Sequence, residues 1–221
     1  MYNKKIIIIA GHYGCGKTNI AVNLAAELAK EGQAVSIVDL DIVNPYFRTA
    51  DNNKMLTSFG VDTILPEFAN TNVDIPSLPV RFKSIFVSDR TAIIDVGGDD
   101  DGAVVLGGYA KDIINTGYEM YFVYNKYRPS IADVNNAYYM MLAIEHSSKL
   151  KFDGIINNSN LGEETTTDDI LSALPDAKKL AEISGKPLFT TTALKRLKQE
   201  LITTAPDENF IFIDDITKKI F

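Results

Sequence analysis

The feature that most constrains this chain is a glycine-rich octapeptide between an apolar run and an amphipathic segment. It reads Gly-His-Tyr-Gly-Cys-Gly-Lys-Thr and covers residues 11–18. The run before it, residues 4–10, is dominated by isoleucine, which predicts a buried strand. After it, Ile20, Leu24 and Leu28 recur at i, i+4 spacing, which predicts a helix with one buried face. A tight turn that joins a buried strand to a helix is typical of an α/β fold.

The octapeptide also matches the pattern G-x-x-x-x-G-K-[ST] of phosphate-binding loops (P-loops), in the strand-to-helix context that the pattern requires. Its glycines let the backbone wrap closely around phosphate oxygens, and the helix N-terminus adds a favourable potential. Lys17 is expected to reach the β- and γ-phosphates, and the Thr18 hydroxyl to ligate Mg²⁺. The predicted nucleotide contacts from this segment are Gly11, His12, Tyr13, Gly14, Cys15, Gly16, Lys17, Thr18 and Asn19.

Aspartates that end predicted strands are the candidate magnesium ligands. Asp95 closes the apolar run Thr-Ala-Ile-Ile-Asp, a pattern in which the carboxylate holds Mg²⁺ directly or through water. Gly98, three residues later, has an N–H that could sense a γ-phosphate. Asp39 and Asp41 point the same way by strand alternation, either to hold Mg²⁺ and position water or simply to end a solvated strand. Thr18 and Asp95 are therefore the predicted metal ligands, and Asp39, Asp41 or both are further candidates.

The remaining sequence alternates strand-like and helix-like runs, which predicts an α/β fold with a mostly parallel central sheet and helices on both faces. A length of 221 residues suits one domain over 1–221. We expect strands at 4–10, 34–40, 91–96, 119–125, 152–158, 188–191 and 210–213. We expect helices near 49–59, 77–87, 103–115, 130–148 and 167–184, the last bent or broken at Pro175. In the helix predicted at 130–148, the residues expected to form the buried face are Val134, Ala137, Tyr138, Met141 and Leu142.

Charge and composition argue against several classes of protein. The formal net charge of −7 disfavours a nucleic-acid-binding surface. With one cysteine and two histidines, a disulfide or a thiolate–imidazole metal site within the chain is not expected. Cys15 is either a small filler of the P-loop or a thiol acidified by the helix N-terminus. The apolar run at residues 6–10 is too short to span a membrane, so we expect a cytoplasmic protein without a stable membrane anchor.

Taken in order, these motifs resemble the MinD/ParA/CobQ group of SIMIBI-class P-loop NTPases, which are relatives of the nitrogenase iron protein. The resemblance rests on the P-loop, on Val-Asp-Leu-Asp at 38–41, on Ile-Ile-Asp-Val-Gly-Gly at 93–98 and on Ile-Ile-Asn-Asn-Ser at 155–159. Within that group, the chain resembles the small MinD/ParA-like ATP-binding proteins.

The resemblance implies a role for each matching residue. Asp41 would activate or orient water, Asp39 would lie nearer Mg²⁺, and Asp95 would be the Walker B aspartate. Gly98 would be the switch glycine, and Asn158 would hold adenine. Residues 190–192 fall where the second base-binding loop of the family lies.

One departure from the family concerns the lysine that dimerising members carry directly after the first P-loop glycine. His12 occupies that position here and lacks the lysine's permanent charge. An ATP-dependent homodimer therefore remains an open alternative. We expect the positive charge that the family lysine would supply to come from Arg48, from Arg128 or from a partner protein. The predicted catalytic residues are Lys17, Asp39, Asp41 and Arg48.

These observations predict Mg-ATP binding and slow hydrolysis by a nucleotide-dependent switch that acts on a protein partner. One alternative is an ATP-dependent biosynthetic enzyme, a small-molecule kinase or a ligase like dethiobiotin synthetase, with residues 66–79 lining its substrate pocket. A metal-insertion GTPase predicts an Asn-Lys-x-Asp base motif, but the segment at 125–128 is Asn-Lys-Tyr-Arg and ends without the carboxylate. A nucleotide sensor without catalysis is the fourth alternative.

Overall fold

A computed structural model describes residues 4–40, 53–64, 80–98 and 100–216. Within these residues eight strands form one sheet. The strands are β1 (Ile6–Ala10), β2 (Val35–Leu40), β3 (Asp62–Ile64), β4 (Thr91–Val96), β5 (Tyr118–Tyr124), β6 (Gly154–Asn157), β7 (Leu188–Leu194) and β8 (Phe210–Ile213). The helices are α1 (Lys17–Lys30), α2 (Asn53–Ser58), α3 (Ser84–Val87), α4 (Asp100–Gly108), α5 (Ala110–Thr116), α6 (Val134–Ser148), α7 (Thr167–Ser184) and α8 (Lys198–Thr204).

The strand order places the P-loop at the centre of the sheet. The order is β3-β2-β4-β1-β5-β6-β7-β8, and every described pair is parallel. The carboxyl ends of all strands therefore lie at one edge. From β1 the chain passes to β2 on one side, and it later continues through β5 on the other side. Such a reversal of direction opens a crevice at the carboxyl edge, where ligands of open α/β sheets bind.

Both faces of the central sheet are covered, as the predicted fold requires. Every side chain of β1 is fully buried, and every residue of β2 is buried as well. Successive side chains of a strand point to opposite faces, so complete burial means that both faces are packed. The predicted α/β fold is confirmed, and the described sheet is entirely rather than mostly parallel.

The helix predicted at 103–115 is two helices, because the chain breaks at Tyr109 between α4 and α5. Gly107 lies so close to α6 that a Cβ at this position would overlap the carbonyl oxygen of Ser147. Gly107 therefore allows close helix packing, and the glycine pair 107–108 lowers the propensity of the chain to continue as one helix.

The predictions for α6 and α7 need correction in detail. Leu142 is 43% exposed and does not belong to the buried stripe, because one helical step from Met141 turns its side chain by about 100°. Helix α7 is not broken, since it continues without interruption through Pro175. Ile170, Ala173 and Leu174 precede the proline, and Ala177 and Leu180 follow it, all buried. Packing on both sides of the proline offsets the lost backbone hydrogen bond.

Two short elements had no counterpart in the predicted pattern. The strand β3 is only three residues long, and the helix α8 has a single buried residue, Leu201. Elements of this length carry too few periodic positions to be recognised from sequence. The described residues that follow β8, 214–216, are irregular.

Candidate functional site

The P-loop follows β1 directly and adopts a backbone that requires glycine. Gly14 and Gly16 have φ angles of 73° and 91°, in the left-handed region that other L-residues rarely occupy. Behind the loop, the amide of Asn158 is so close that a Cβ on Gly16 would overlap its nitrogen. A side chain at position 16 would therefore both strain the backbone and displace Asn158.

The N-terminus of α1 is left without a side-chain cap. Gly16 is its N-cap residue and makes no such hydrogen bond. In contrast, Asp133 accepts from two backbone N–H groups at the start of α6, and Thr166 forms a capping box with Asp169 at the start of α7. The first N–H groups of a helix need acceptors from elsewhere, and an uncapped start is a ready site for a phosphate.

The Lys17 side chain folds back across the P-loop. Its Nζ donates a hydrogen bond to the carbonyl oxygen of His12 at 3.1 Å, and the residue is 7% exposed. The ammonium group is thus held at the mouth of the loop, where the β- and γ-phosphates of a bound nucleotide are expected. The sequence-based assignment of Lys17 to the phosphates is consistent with this position.

The predicted metal ligands lie together at the carboxyl ends of β2 and β4. The Thr18 hydroxyl donates to Asp95 Oδ2 at 2.5 Å. Asp39 is the register partner of Asp95 in the neighbouring strand, and both residues are 2% exposed. A hydroxyl and two carboxylates are hard oxygen donors of the kind that Mg²⁺ prefers, so these residues fit a magnesium site.

The metal would need further oxygen ligands. No group of three or more His, Cys, Asp or Glu side chains with metal-binding geometry occurs in the described part of the chain. Mg²⁺ usually keeps several waters and binds one or two carboxylates together with substrate phosphates. The donor set at Asp39 and Asp95 therefore suits a metal that arrives with a nucleotide.

Gly98 connects the end of β4 to the P-loop. A Cβ at this position would overlap the backbone N and Cα atoms of Tyr13 and lie 2.8 Å from its Cβ. Only glycine allows the two loops to approach this closely. The segment that follows Asp95 is therefore in direct contact with the backbone of the P-loop.

Cys15 is fully buried within the P-loop. Burial raises the pKa of its thiol, against the opposing influence of the positive charges of Lys17 and Arg128. A thiol with a raised pKa stays protonated at neutral pH and reacts poorly. The structure thus favours the interpretation of Cys15 as a filler of the loop over that of an acidified thiol.

Asn158 joins the P-loop to β7. Its Nδ2 donates to the carbonyl oxygen of Cys15 at 2.7 Å, and its Oδ1 accepts from the Thr192 hydroxyl at 2.5 Å. Asn19 also has a structural partner, because its Oδ1 accepts from the backbone N–H of Ile216 at 3.0 Å. Both amides border the predicted nucleotide site, and both are hydrogen-bonded within the protein in this structure.

A pocket of about 120 Å³ opens beside the P-loop. Among its lining residues are Gly14, Gly16, Asn19, Arg128, Asn158, Thr192 and Asp215. A larger pocket of about 180 Å³ lies along α1 and β8 and contains none of the P-loop glycines. The smaller pocket adjoins the backbone N–H groups of the P-loop and the start of α1, so a nucleotide held by the loop would border it.

The structure brings most of the predicted site together and leaves part of it undescribed. Asp41 and Arg48 lie outside the described residues, as does the proline-rich segment 66–79. The sequence analysis did not assign Asp215, which lines the pocket from the far end of the chain, and gave Arg128 only as one source of a cation. No local pattern around Asp215 indicates the pocket, because most of the residues that line the pocket with it come from distant parts of the chain.

No helix in the described residues is both long enough and apolar enough to cross a membrane.

Known proteins match part of this chain in sequence. A ParA family model, described as the NUBPL iron-transfer P-loop NTPase, matches residues 1–85. The iron-sulfur cluster carrier proteins of Pyrococcus horikoshii and Pyrococcus furiosus are each 51% identical to this chain over 41 residues. That segment is 19% of this chain and 14% of each relative, so the comparison covers a small part of their length.

Solved structures share the fold over most of the chain. FtsY of Thermotoga maritima aligns with a TM-score of 0.56 at 18% identity, over 86% of this chain and 62% of that one. Chloroplast FtsY of Physcomitrella patens aligns with a TM-score of 0.53 at 14% identity, over 86% and 59%. At these identities the likeness establishes the fold alone. The chain thus carries a P-loop motif in a fold that it shares with these proteins, and over residues 1–85 it is similar to the ParA family of P-loop NTPases.

Proposed function

We propose that this chain binds Mg-ATP, hydrolyses it slowly and acts as a nucleotide-dependent switch for a protein partner. The observation that carries the proposal is the 2.5 Å hydrogen bond from Thr18 to Asp95, beside Asp39 and within the same crevice as Lys17. This pairing joins a P-loop hydroxyl to a strand-end carboxylate, which is how P-loop NTPases hold their metal.

Different residues of the site are proposed to bind the phosphates, to bind the metal and to orient the attacking water. The P-loop N–H groups and Lys17 hold the phosphates, while Thr18, Asp39 and Asp95 offer oxygens to the metal. When bound, Mg²⁺ offsets negative charge on the phosphate oxygens. Hydrolysis forms a bond from water oxygen to the γ-phosphorus and breaks the bond to the bridging oxygen, whose electron pair leaves on ADP. The water proton passes to the released phosphate or to solvent, and Asp41 is proposed to orient that water.

Switching is supported by the contact between Gly98 and the P-loop. Because Gly98 packs on the backbone of Tyr13, a γ-phosphate bound at the loop would lie next to the segment after β4. Loops that order around a γ-phosphate and relax after hydrolysis are a common two-state element. We propose that a partner protein reads the position of this segment.

Carriage of an iron–sulfur cluster, which the names of the curated relatives suggest, does not fit the residues of this chain. Clusters are held by cysteine thiolates, typically four. This sequence has one cysteine, and Cys15 is buried inside the P-loop with a raised pKa. Two copies of the chain would supply two thiols, neither accessible. We therefore do not extend cluster binding to this protein.

The proposal predicts that ATP binds more tightly than GTP. Arg128 stands where the guanine motif has its aspartate and cannot accept hydrogen bonds from the base. Lys126, from the same segment, is engaged with Asp176 at 2.8 Å on α7. Competition titrations with Mg-ATP and Mg-GTP, together with turnover of each, test this directly. We expect a clear ATP preference and slow turnover.

A reversed preference would contradict the adenine assignment. Asp215, a carboxylate that lines the same pocket, would then be the acceptor to mutate, because guanine presents two donors to a carboxylate. Absence of binding by either nucleotide would instead contradict the whole proposed function. Turnover that rises many-fold with a small metabolite would favour the biosynthetic alternative.

Asp41→Ala is expected to keep Mg-ATP bound and to stop turnover. A group that only orients the attacking water acts on the chemical step more than on ground-state binding. Calorimetry and single-turnover hydrolysis on the same preparation separate the two effects. If the variant hydrolyses at the parental rate, Asp41 has no catalytic role and Asp39 becomes the candidate.

A further inference from the structure

Arg128 carries a positive charge to the P-loop from a different part of the chain. The guanidinium carbon Cζ lies 3.2 Å, and Nε 3.3 Å, from the place where a Cβ on Gly14 would be. The side chain therefore rests on the loop at a position that a larger residue than glycine would block. Arg128 also lines the pocket that Gly14 and Gly16 border.

The turn that carries Arg128 is held in place by hydrogen bonds to its neighbours. The backbone N–H of Arg128 donates to the carbonyl oxygen of Asn125 at 3.1 Å. The backbone N–H of Tyr127 donates to the side-chain Oδ1 of Asn125 at 2.9 Å. The backbone N–H of Lys126 donates to the Ser159 hydroxyl at 2.9 Å, at the end of β6. The base of the Arg128 side chain is thus fixed by the turn before any nucleotide arrives.

Within the part of the chain that the structure describes, the guanidinium of Arg128 is open to a ligand. Arg128 is exposed, and none of the described residues accepts a hydrogen bond from its side chain. A guanidinium presents five N–H donors in a planar fork that matches phosphate oxygens. A fixed turn that directs such a group over a P-loop has the geometry of a phosphate contact.

We propose that Arg128 is the cation that stabilises the phosphates during hydrolysis, and that it is supplied by the same chain that binds the nucleotide. This inference rests on the proposed function, because it concerns the same site. As the bond between the γ-phosphorus and the bridging oxygen breaks, its electron pair moves onto ADP while water adds to phosphorus. Negative charge grows on oxygens beside Gly14, where Arg128 lies. The chain then needs no lysine at position 12 and no second copy of itself.

A cation in cis predicts slow but concentration-independent turnover. P-loop GTPases with a built-in arginine hydrolyse at about 10⁻² s⁻¹, roughly 20- to 30-fold faster than those that await one from a partner. We therefore expect Arg128→Ala to lower the rate at saturating Mg-ATP by about 20-fold. Arg128→Lys keeps the charge without the fork and should recover part of that loss.

The test combines turnover with a measurement that does not depend on it. Affinities for Mg-ADP with and without aluminium fluoride are compared in the parent, in Arg128→Ala and in Arg81→Ala. Arg81 is an exposed arginine paired with Asp62 of β3, the strand at one edge of the sheet, and serves as the matched control. We expect Arg128→Ala alone to lose affinity for the fluoride complex, by about the same factor as turnover, with Mg-ADP affinity within about threefold of the parent.

Three results would overturn the inference. Equal losses for Mg-ADP and for its fluoride complex would make Arg128 a structural support of the loop. A parental rate and parental fluoride affinity in Arg128→Ala would remove it from the reaction. A turnover per chain that rises with protein concentration would show that a second copy supplies the cation. Failure of the parent to bind any triphosphate is a separate outcome, since it contradicts the proposed function as well.

Discussion

Lys17→Ala is expected to weaken Mg-ATP binding by about 10- to 150-fold while the fold is retained. A hydrogen bond to a charged partner is worth roughly 1.5–3 kcal/mol, and each 1.4 kcal/mol is about tenfold in affinity. Within the described residues the Lys17 ammonium donates to one loop carbonyl, that of His12, so its loss removes little from the core. Calorimetric titration with Mg-ATP measures the loss of affinity, and a circular dichroism spectrum checks that the fold is retained.

Lys30→Ala is the matched control for this change. Lys30 is at the other end of α1, where it forms an exposed ion pair with Glu27, and such pairs contribute little to stability. Its variant should bind Mg-ATP like the parent. Parental affinity in Lys17→Ala would remove the phosphate role of this lysine and with it the functional interpretation of the P-loop.

Asp95→Asn is expected to reduce Mg²⁺-dependent turnover by about 10²-fold or more. Asparagine offers Thr18 a carbonyl oxygen and so keeps the acceptor of the 2.5 Å hydrogen bond, but it lacks the negative charge that holds a divalent cation. Metal ions typically supply several kcal/mol of transition-state charge stabilisation. Turnover measured across a magnesium titration should show both a lower maximum and a higher Mg²⁺ requirement.

Asp153→Asn is the matched control for Asp95→Asn, because it makes the same chemical change at a carboxylate that is not a candidate metal ligand. Asp153 is exposed at the amino end of β6, on the opposite edge of the same sheet, where its carboxylate accepts from the backbone N–H of Met120 at 2.8 Å. Asparagine preserves that acceptor too. Asp153→Asn should keep parental turnover. A parental magnesium requirement in Asp95→Asn would show that Asp95 is not a metal ligand.

Local constraints made the P-loop and the sheet predictable. The φ angles of Gly14 and Gly16 explain why glycine occurs at those positions, and an isoleucine run long enough for one buried strand precedes them. Helix α1 follows because its apolar residues recur with helical spacing. These features depend on neighbours within about ten residues, so a single sequence is sufficient to find them.

Longer-range features were harder to predict because local patterns do not contain them. The break at Tyr109 depends on how closely Gly107 approaches Ser147 in α6. The continuity of α7 through Pro175 depends on buried residues that anchor the helix on both sides. In α7 packing between elements outweighed the low helix propensity of proline, whereas before Tyr109 the glycines themselves lower the helix propensity.

Some residues of the site were recognised from the sequence, and others were placed there only by the tertiary structure. Thr18 and Asp95 were recognised by motif, although 77 positions separate them, because each motif is local and the fold class brings them to one edge. The partners of Asn158 and the placement of Arg128 were decided by tertiary structure alone. A parallel sheet gathers the ends of all its strands at one edge, yet which side chains then touch depends on loop geometry and register, which no short segment of sequence encodes.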